Sequence, residues 1–198
     1  MSTTTAQQLQ AVTKETGVVL IVDEVQTGVV SSGHYWAHEA WDLESPPDIV
    51  TFSKKAQIAG YYYTEELQMS MPYRIYNTWM GDPAKLLIFD KVNEIVASDG
   101  LMESTQEAGR VLLDGLETLA AAHPDLFHDP RGAGTLCAVN TSSAEVRAEV
   151  LGAMRQQGVL LGACGDTAIR FRPPLTFTKD HARIVLDRFH IVAAALEC

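Results

Sequence analysis

Positive charge is scarce in this sequence: 15 lysines and arginines stand against 25 aspartates and glutamates, a formal net charge of −10 at pH 7. A surface of that sign repels phosphate backbones and anionic headgroups, which argues against nucleic acid and membranes as partners. Long apolar runs are missing too. The longest near the N-terminus, Val18-Val19-Leu20-Ile21-Val22, is far too short to span a bilayer and lies in the wrong place for a signal peptide. Cysteine is rare: Cys137, Cys164 and Cys198 are an odd number at wide spacing, which suits reduced thiols in an intracellular compartment. No GxxxxGK[ST] string, no HExxH and no Cys-x₂-Cys pair occurs anywhere, so the ordinary nucleotide and zinc signatures are absent. What is present is an ordinary packed composition. Apolar residues make up 46% and charged residues 20% of 198 positions, which excludes intrinsic disorder as the main state.

The patterning is that of alternating helices and strands. A weakly amphipathic helix over 6–15 precedes the run at 18–22, which reads as a strand of a parallel sheet covered on both faces and stopped by Asp23-Glu24. A turn-rich stretch, TGVVSSG, leads into HYWAHEAW, read as a short helix concerned mainly with packing. After Pro46-Pro47, residues 48–52 form a second strand ending on Ser53-Lys54-Lys55. Gly81-Asp82-Pro83 starts a long helix through an N-cap and a proline at the first helical position. A second helix runs over 101–122 with Leu112, Leu113, Leu116 and Leu119 on one side. Strands are expected at 134–139, 159–161 and 169–172, and helices at 144–157 and 178–196. The chain divides near residue 95.

Functional groups of open α/β sheets gather beyond the carboxyl ends of the strands, and both early strands end there in polar side chains. Asp23 and Lys54 are separated by enough chain for a right-handed crossover that returns to the same edge, so both could face one pocket. A partly desolvated lysine is a nucleophile toward carbonyls, and a buried aspartate requires a positive partner such as a protonated pyridine nitrogen. Alternatively, Asp23 only caps a helix or meets a surface cation and Lys54 is solvated. Val19-Leu20-Ile21-Val22-Asp23-Glu24 also has the form of a Walker B strand, in which Asp holds Mg²⁺, but the phosphate loop that should accompany it is lacking. His34 and His38 stand four apart without a full metal-ligand set. Cys164 is read as a small buried residue and not a nucleophile. Arg170 and Arg172 are read as pointing to opposite faces of a strand, so that one could reach a cleft between the two domains and meet a carboxylate while the other stays solvated.

The strings VVLIVDEVQTG, HYWAHE, DIVTFSKK, YRIYNTWMGDP, RGAGTLC and GVLLGACGDTAIRFRPPL, in that order and spacing, resemble the class III pyridoxal-phosphate aminotransferases, most of all their eukaryotic 4-aminobutyrate branch. The resemblance implies an α/β architecture: a partial PLP-dependent transferase fold of type I. Residues 1–95 would be the C-terminal part of the large parallel-sheet, cofactor-binding domain, and residues 96–198 a small α+β domain. Asp23 would match the aspartate on the pyridinium nitrogen, Val25 the residue on the ring face and Gln26 the one near the ring hydroxyl. Lys54 would match the lysine that forms the Schiff base and shuttles the proton. Thr78 would match the threonine that reaches the cofactor phosphate across a homodimer interface, and Arg170 the substrate-binding arginine that pairs with a glutamate when a monocarboxylate amine binds and is freed for the second substrate's α-carboxylate. The reaction implied moves the amino group of 4-aminobutyrate, through pyridoxal 5'-phosphate, to 2-oxoglutarate, with no metal at the reacting centre. Another ω-amino donor (β-alanine, ornithine or acetylornithine) or a non-catalytic remnant are the alternatives. The expected compartment is the cytoplasm or the mitochondrial matrix. Two positions depart from the family pattern: Val30, where glycine is usual, and Ala59-Gly60, where a glycine pair is usual. By the resemblance, the family's phosphate loop, ring-stacking aromatic residue, substrate-carboxylate arginine and the glutamate partner of Arg170 would belong to a portion upstream of this sequence.

Overall fold

The computed structural model describes residues 1–197, so Cys198 lies outside the described residues. Two compact units form, one from Met1–Val30 with His34–Gly100 and the other from Ser31–Gly33 with the chain from Leu101 onward.

The first unit opens with helix α1 (Thr3–Thr16), capped by Ser2, whose hydroxyl accepts the Thr5 N–H at 3.2 Å, and closed by Gly17 at φ +67°. Strand β1 (Ile21–Asp23) follows, then a 3₁₀ turn (Ala37–Trp41), β2 (Ile49–Phe52), a 3₁₀ turn (Lys54–Ala56) and β3 (Gly60–Tyr63). The sheet order is β1-β2-β3, with β1 and β2 parallel and β2 and β3 antiparallel. Helix α2 (Pro83–Ser98) begins as expected, with the Asp82 carboxylate accepting the Ala84 N–H and Pro83 in the first turn. An aromatic cluster fills the unit: Phe52 stacks on Tyr62 at 5.0 Å and on Phe89 at 5.7 Å, and Trp36 lies 5.8 Å from both Phe52 and Tyr62. HYWAHEAW is therefore packing material, but only its second half turns as a helix.

The first strand is shorter and less covered than its sequence implies. Pairing begins at Ile21, and while Leu20 and Val22 are buried, Val18 is 59% and Ile21 58% exposed. The strand sits at the end of its sheet with β2 as its one neighbour, so alternate side chains face solvent where an interior strand would bury both faces.

The second unit is a layer of helices on an antiparallel sheet. Helix α3 (Leu101–Ala122) precedes β4 (Phe127–Ala133), β5 (Leu136–Thr141), helix α4 (Ala144–Gln156), β6 (Gly162–Cys164), β7 (Ala168–Phe171) and helix α5 (Lys179–Leu196). The sheet order is β4-β5-β7-β6. Leu112, Leu116 and Leu119 of α3, at helical spacing, are buried in one core with Val139, Ile169 and Phe189. Phe189 of α5 meets Phe127 edge-on at 5.9 Å and Phe171 at 5.7 Å. Each such side chain contributes about 1.5–3 kcal/mol through burial.

Three local readings are corrected. No strand forms at 159–161: the N–H groups of Gly158 and Val159 still satisfy the Arg155 and Met154 carbonyls at the end of α4, so pairing starts only at Gly162. Strand β4 was not expected because Pro130 and Gly132 break its pattern; a register shift lies between His128 and Arg131, where Asp129 takes φ +51°. Cys164 is exposed, not buried, because it ends β6, whose pairing is with β7 alone.

Cys137, by contrast, is buried, and burial pushes its thiol up to about 12 from the ordinary 9.0. A thiol reagent at pH 8 is expected to label Cys164 in the native protein and Cys137 only after unfolding, as peptide mapping would show. The folded state favours the protonated thiol, so this contribution to stability is complete below pH 9 and is lost as the pH climbs toward 12. Equal labelling of the two native cysteines would contradict the burial.

Candidate active site

The parallel register places Ile21 against Ile49, Val22 against Val50 and Asp23 against Thr51. Both chains therefore reach the same edge of the sheet pointing the same way, and the polar residues that stop them emerge together. Asp23 closes β1. Its Oδ1 accepts the Val25 N–H at 2.9 Å and the Thr51 hydroxyl at 3.1 Å, so the carboxylate is fixed by the neighbouring strand and by the turn that follows it. Lys54 comes three residues after Thr51, at the start of the 3₁₀ turn beyond β2.

Lys54 adopts φ +49°, in the left-handed region. For a residue with a Cβ this costs about 1–2 kcal/mol, a strain often found at functional positions. It is held by Gln57, whose main-chain and side-chain N–H groups both donate to the Lys54 carbonyl, at 2.9 and 3.1 Å. Asp23 and Lys54 are both exposed, which corrects the expectation of a buried aspartate and a desolvated lysine. The carboxyl edge of these two strands is open to solvent among the described residues.

Val25 and Gln26 lie on the turn after Asp23 and are half-buried. Behind them stands a residue that the sequence reading did not single out. The Glu24 side chain is wholly buried; it accepts the Thr27 hydroxyl on one oxygen and, on the other, the His38 N–H at 2.9 Å and the His38 ring Nδ1 at 3.0 Å. His38 is thus engaged by a carboxylate and not matched with His34. The signal was available in the alternation of a strand, which sends Glu24 to the face opposite Asp23. Further along, Val29 and Val30 are fully buried at φ +55° and +72°. Val30 therefore occupies a backbone conformation suited to glycine.

Thr78 sits on an exposed turn in which the Asn77 side chain accepts the Trp79 N–H at 3.0 Å. Beside it Tyr61, Tyr63, Asn77, Trp79 and Lys85 line a cleft of about 750 Å³. Large apolar side chains crowd the same unit's surface, with Tyr73 92%, Trp79 75% and Leu87 71% exposed.

In the second unit, Arg170 on β7 is half-buried along Gly162, and its Nε is buried with no hydrogen-bond partner among the described residues. Arg172 is exposed, so the expected difference between the two arginines holds in degree. They nevertheless line one pocket of about 300 Å³, with Leu161, Phe171, Pro173 and Phe177, as residues two apart on an extended chain must. The Arg170 guanidinium thus lies along this pocket with one nitrogen unsatisfied among the described residues.

The donor set suits pyridoxal phosphate. A fixed carboxylate can face a protonated ring nitrogen, and a solvent-accessible primary amine one strand away can meet the aldehyde. Residues 1–193 match the family described as aminotransferase class-III. A mitochondrial 4-aminobutyrate aminotransferase of Sus scrofa is 42% identical over 188 residues, covering 95% of this chain and 38% of that protein. A probable mitochondrial 4-aminobutyrate aminotransferase of Caenorhabditis elegans is 45% identical over 181 residues, covering 91% of this chain and 38% of that protein. Among solved structures, a lysine aminotransferase from M. tuberculosis in the internal aldimine form superposes with a TM-score of 0.93 at 28% identity, over 99% of this chain and 46% of that one. An ornithine aminotransferase from Plasmodium yoelii superposes with a TM-score of 0.86 at 20% identity, over 96% and 51%. The chain thus spans under two fifths of the length of these curated relatives, 38% in both, and carries part of the fold seen in those structures.

Proposed function

Since this chain belongs to the class III aminotransferase family, whose cofactor is pyridoxal 5'-phosphate, we propose that it serves the transamination of 4-aminobutyrate with 2-oxoglutarate. The observation that carries the reading is the arrival of Asp23 and Lys54 at one edge of two adjacent parallel strands. The products would be succinate semialdehyde and glutamate. The relatives named for 4-aminobutyrate favour this donor. The likeness to the M. tuberculosis lysine aminotransferase keeps a second reading, another ω-amino donor, which a panel of amino donors separates. We assign the first unit to the large cofactor-binding domain and the second to the small domain.

Bound pyridoxal phosphate supplies an electron sink that stabilises negative charge on the carbon bearing the amino group. Asp23, oriented by Thr51 and the Val25 N–H, holds the ring nitrogen in its protonated form. Val25, half-buried on the turn, would pack on the ring, and Gln26 would lie by its hydroxyl. Lys54 would hold the cofactor through its Nζ and, as a primary amine beside the reacting centre, would serve as the base and acid for the proton at the donor's amine-bearing carbon. Arg170, which lines its pocket together with Arg172, would pair with the second substrate's α-carboxylate. Thr78, on its exposed turn, contacts the phosphate held by a second copy, so the crowded apolar surface of the first unit is the homodimer face. The compartment proposed is the mitochondrial matrix or the cytoplasm; the relatives' names, which read mitochondrial, support the former.

Titration of the purified chain with pyridoxal phosphate is expected to give a visible band that borohydride fixes to Lys54 and not to Lys55, read by peptide mapping. Lys54→Ala would abolish the fixed label. A label on Lys55, or none, would overturn the assignment.

A further inference from the structure

Glu24 follows Asp23 directly, yet it is among the most deeply buried polar residues of the chain, at 1% exposure. An isolated carboxylate in that position would cost several kcal/mol, so its retention demands partners. It has them on every side. The Glu24 N–H donates to the Thr51 carbonyl at 2.9 Å, and the Glu24 carbonyl accepts the Gly28 N–H at 2.9 Å. The side chain takes the Thr27 hydroxyl, the His38 N–H and the His38 ring. Asp23 is held on the opposite face by Thr51 and Val25. The turn over 23–28 is therefore gripped from two faces by consecutive carboxylates, and the three residues proposed above to meet the cofactor, Asp23, Val25 and Gln26, belong to this turn.

We propose that Glu24 is a positioning residue: through Thr27 and His38 it fixes the orientation of Asp23, Val25 and Gln26 toward the pyridine ring. This rests on the cofactor reading above. The strain next to it gives the anchor a task, because Val29 and Val30 are buried in left-handed conformations within the segment that Glu24 ties at Thr27 and His38. Without the carboxylate, a β-branched pair at positive φ would tend to relax toward extended backbone and carry the turn with it. A glutamate that only stabilised the unit would leave the geometry of the folded turn unchanged.

The test compares Glu24→Ala, Glu24→Gln and His38→Ala with the parent chain, by absorbance titration with pyridoxal phosphate and by the circular dichroism that the bound ring acquires. Measurements are made at a temperature where each variant retains native far-ultraviolet dichroism. Glu24→Ala is expected to weaken cofactor binding by about tenfold or more and to alter the ring's dichroism. Glutamine keeps the shape and the acceptor for His38, so Glu24→Gln should remain within about threefold of the parent, and His38→Ala should fall between the two. Parent-like affinity and ring dichroism in Glu24→Ala, with only the melting temperature lowered, would overturn the proposal. If Glu24→Ala does not fold, parent-like values in His38→Ala overturn it and a weakened, altered complex supports it. Failure of the parent chain itself to bind the cofactor overturns the functional reading, and this proposal falls with it.

Discussion

Alanine at Gly134 is expected to unfold the second unit under conditions where the parent chain is stable. Gly134 turns the chain from β4 to β5 at φ +53°. A Cβ there would lie 2.5 Å from the Gly33 nitrogen, the Ser31 carbonyl oxygen and the Ser32 carbonyl carbon, all of them backbone atoms. Backbone cannot step aside as a flexible side chain does. From the other direction comes α3, where a Cβ on Gly109 would stand 2.2 Å from the Gly134 carbonyl oxygen. The seam is sewn by hydrogen bonds: Thr135 N–H to the Ser31 carbonyl at 3.1 Å, and the Gln106 side chain to the Gly33 carbonyl at 2.6 Å. The left-handed backbone costs an alanine about 1–2 kcal/mol and forced overpacking about 1–3 more, a large share of an ordinary domain's 5–15 kcal/mol. Gly109→Ala sharpens the test because helix propensity alone would make alanine better by about 1 kcal/mol in α3. Urea denaturation read by far-ultraviolet dichroism should instead show a lower midpoint for both variants. A raised midpoint in Gly109→Ala would refute the close approach.

Asp23→Ala is expected to weaken pyridoxal phosphate binding by about 100-fold, the size of effect expected when a charge-assisted hydrogen bond to a protonated ring is removed. Asp23→Asn separates charge from shape. Its amide oxygen can still accept the Val25 N–H and the Thr51 hydroxyl that hold Oδ1, so the turn keeps its form while the negative charge is gone. If the carboxylate pairs with a protonated nitrogen, Asn should lose nearly as much affinity as Ala, and the bound cofactor's absorbance should shift as the ring loses its proton. An Asp23→Asn variant with parent affinity would show that the residue serves only the turn. Stability distinguishes the roles again: Asp23 is exposed, so neither substitution should lower the melting temperature as much as Gly134→Ala.

Much of the fold was legible in local chemistry. The start of α2 was marked by Asp82-Pro83, and the extent of α3 by its leucine spacing and the histidine and proline that follow, because caps and amphipathic spacing act within a few residues. The parallel pairing of β1 with β2 followed from two apolar runs separated by enough chain to cross over. Strand β4 was hidden because the sheet tolerates Pro130 and Gly132 at a bulge, an accommodation made by the partner strand and invisible in the string itself. The same holds for the end of α4, where the decision between helix cap and strand over 158–161 depends on which carbonyls remain unsatisfied. At the candidate site, the sequence pointed to Asp23, Lys54 and Arg170 as chemical types at strand ends. Strand alternation placed Glu24 on the face opposite Asp23, but its partners, from residues 27 and 38, became visible only where the fold brings them together.

Sequence alone determined the class of chemistry open to this protein: the ordered strings from DEVQTG to RFRP direct it to a small-molecule cofactor, and no helix among the described residues is long and apolar enough to cross a membrane. Those properties reside in residue identity and order, which need no fold to be read. Tertiary structure decided what is exposed and what is shielded. It left Asp23 and Lys54 open, buried Glu24, took the partner from the Arg170 Nε, and drew Ser31–Gly33 into the second unit against Gly109 and Gly134. These outcomes depend on distances between residues remote in sequence, where a few tenths of an ångström between backbone atoms decide whether a Cβ or a charge can be accommodated.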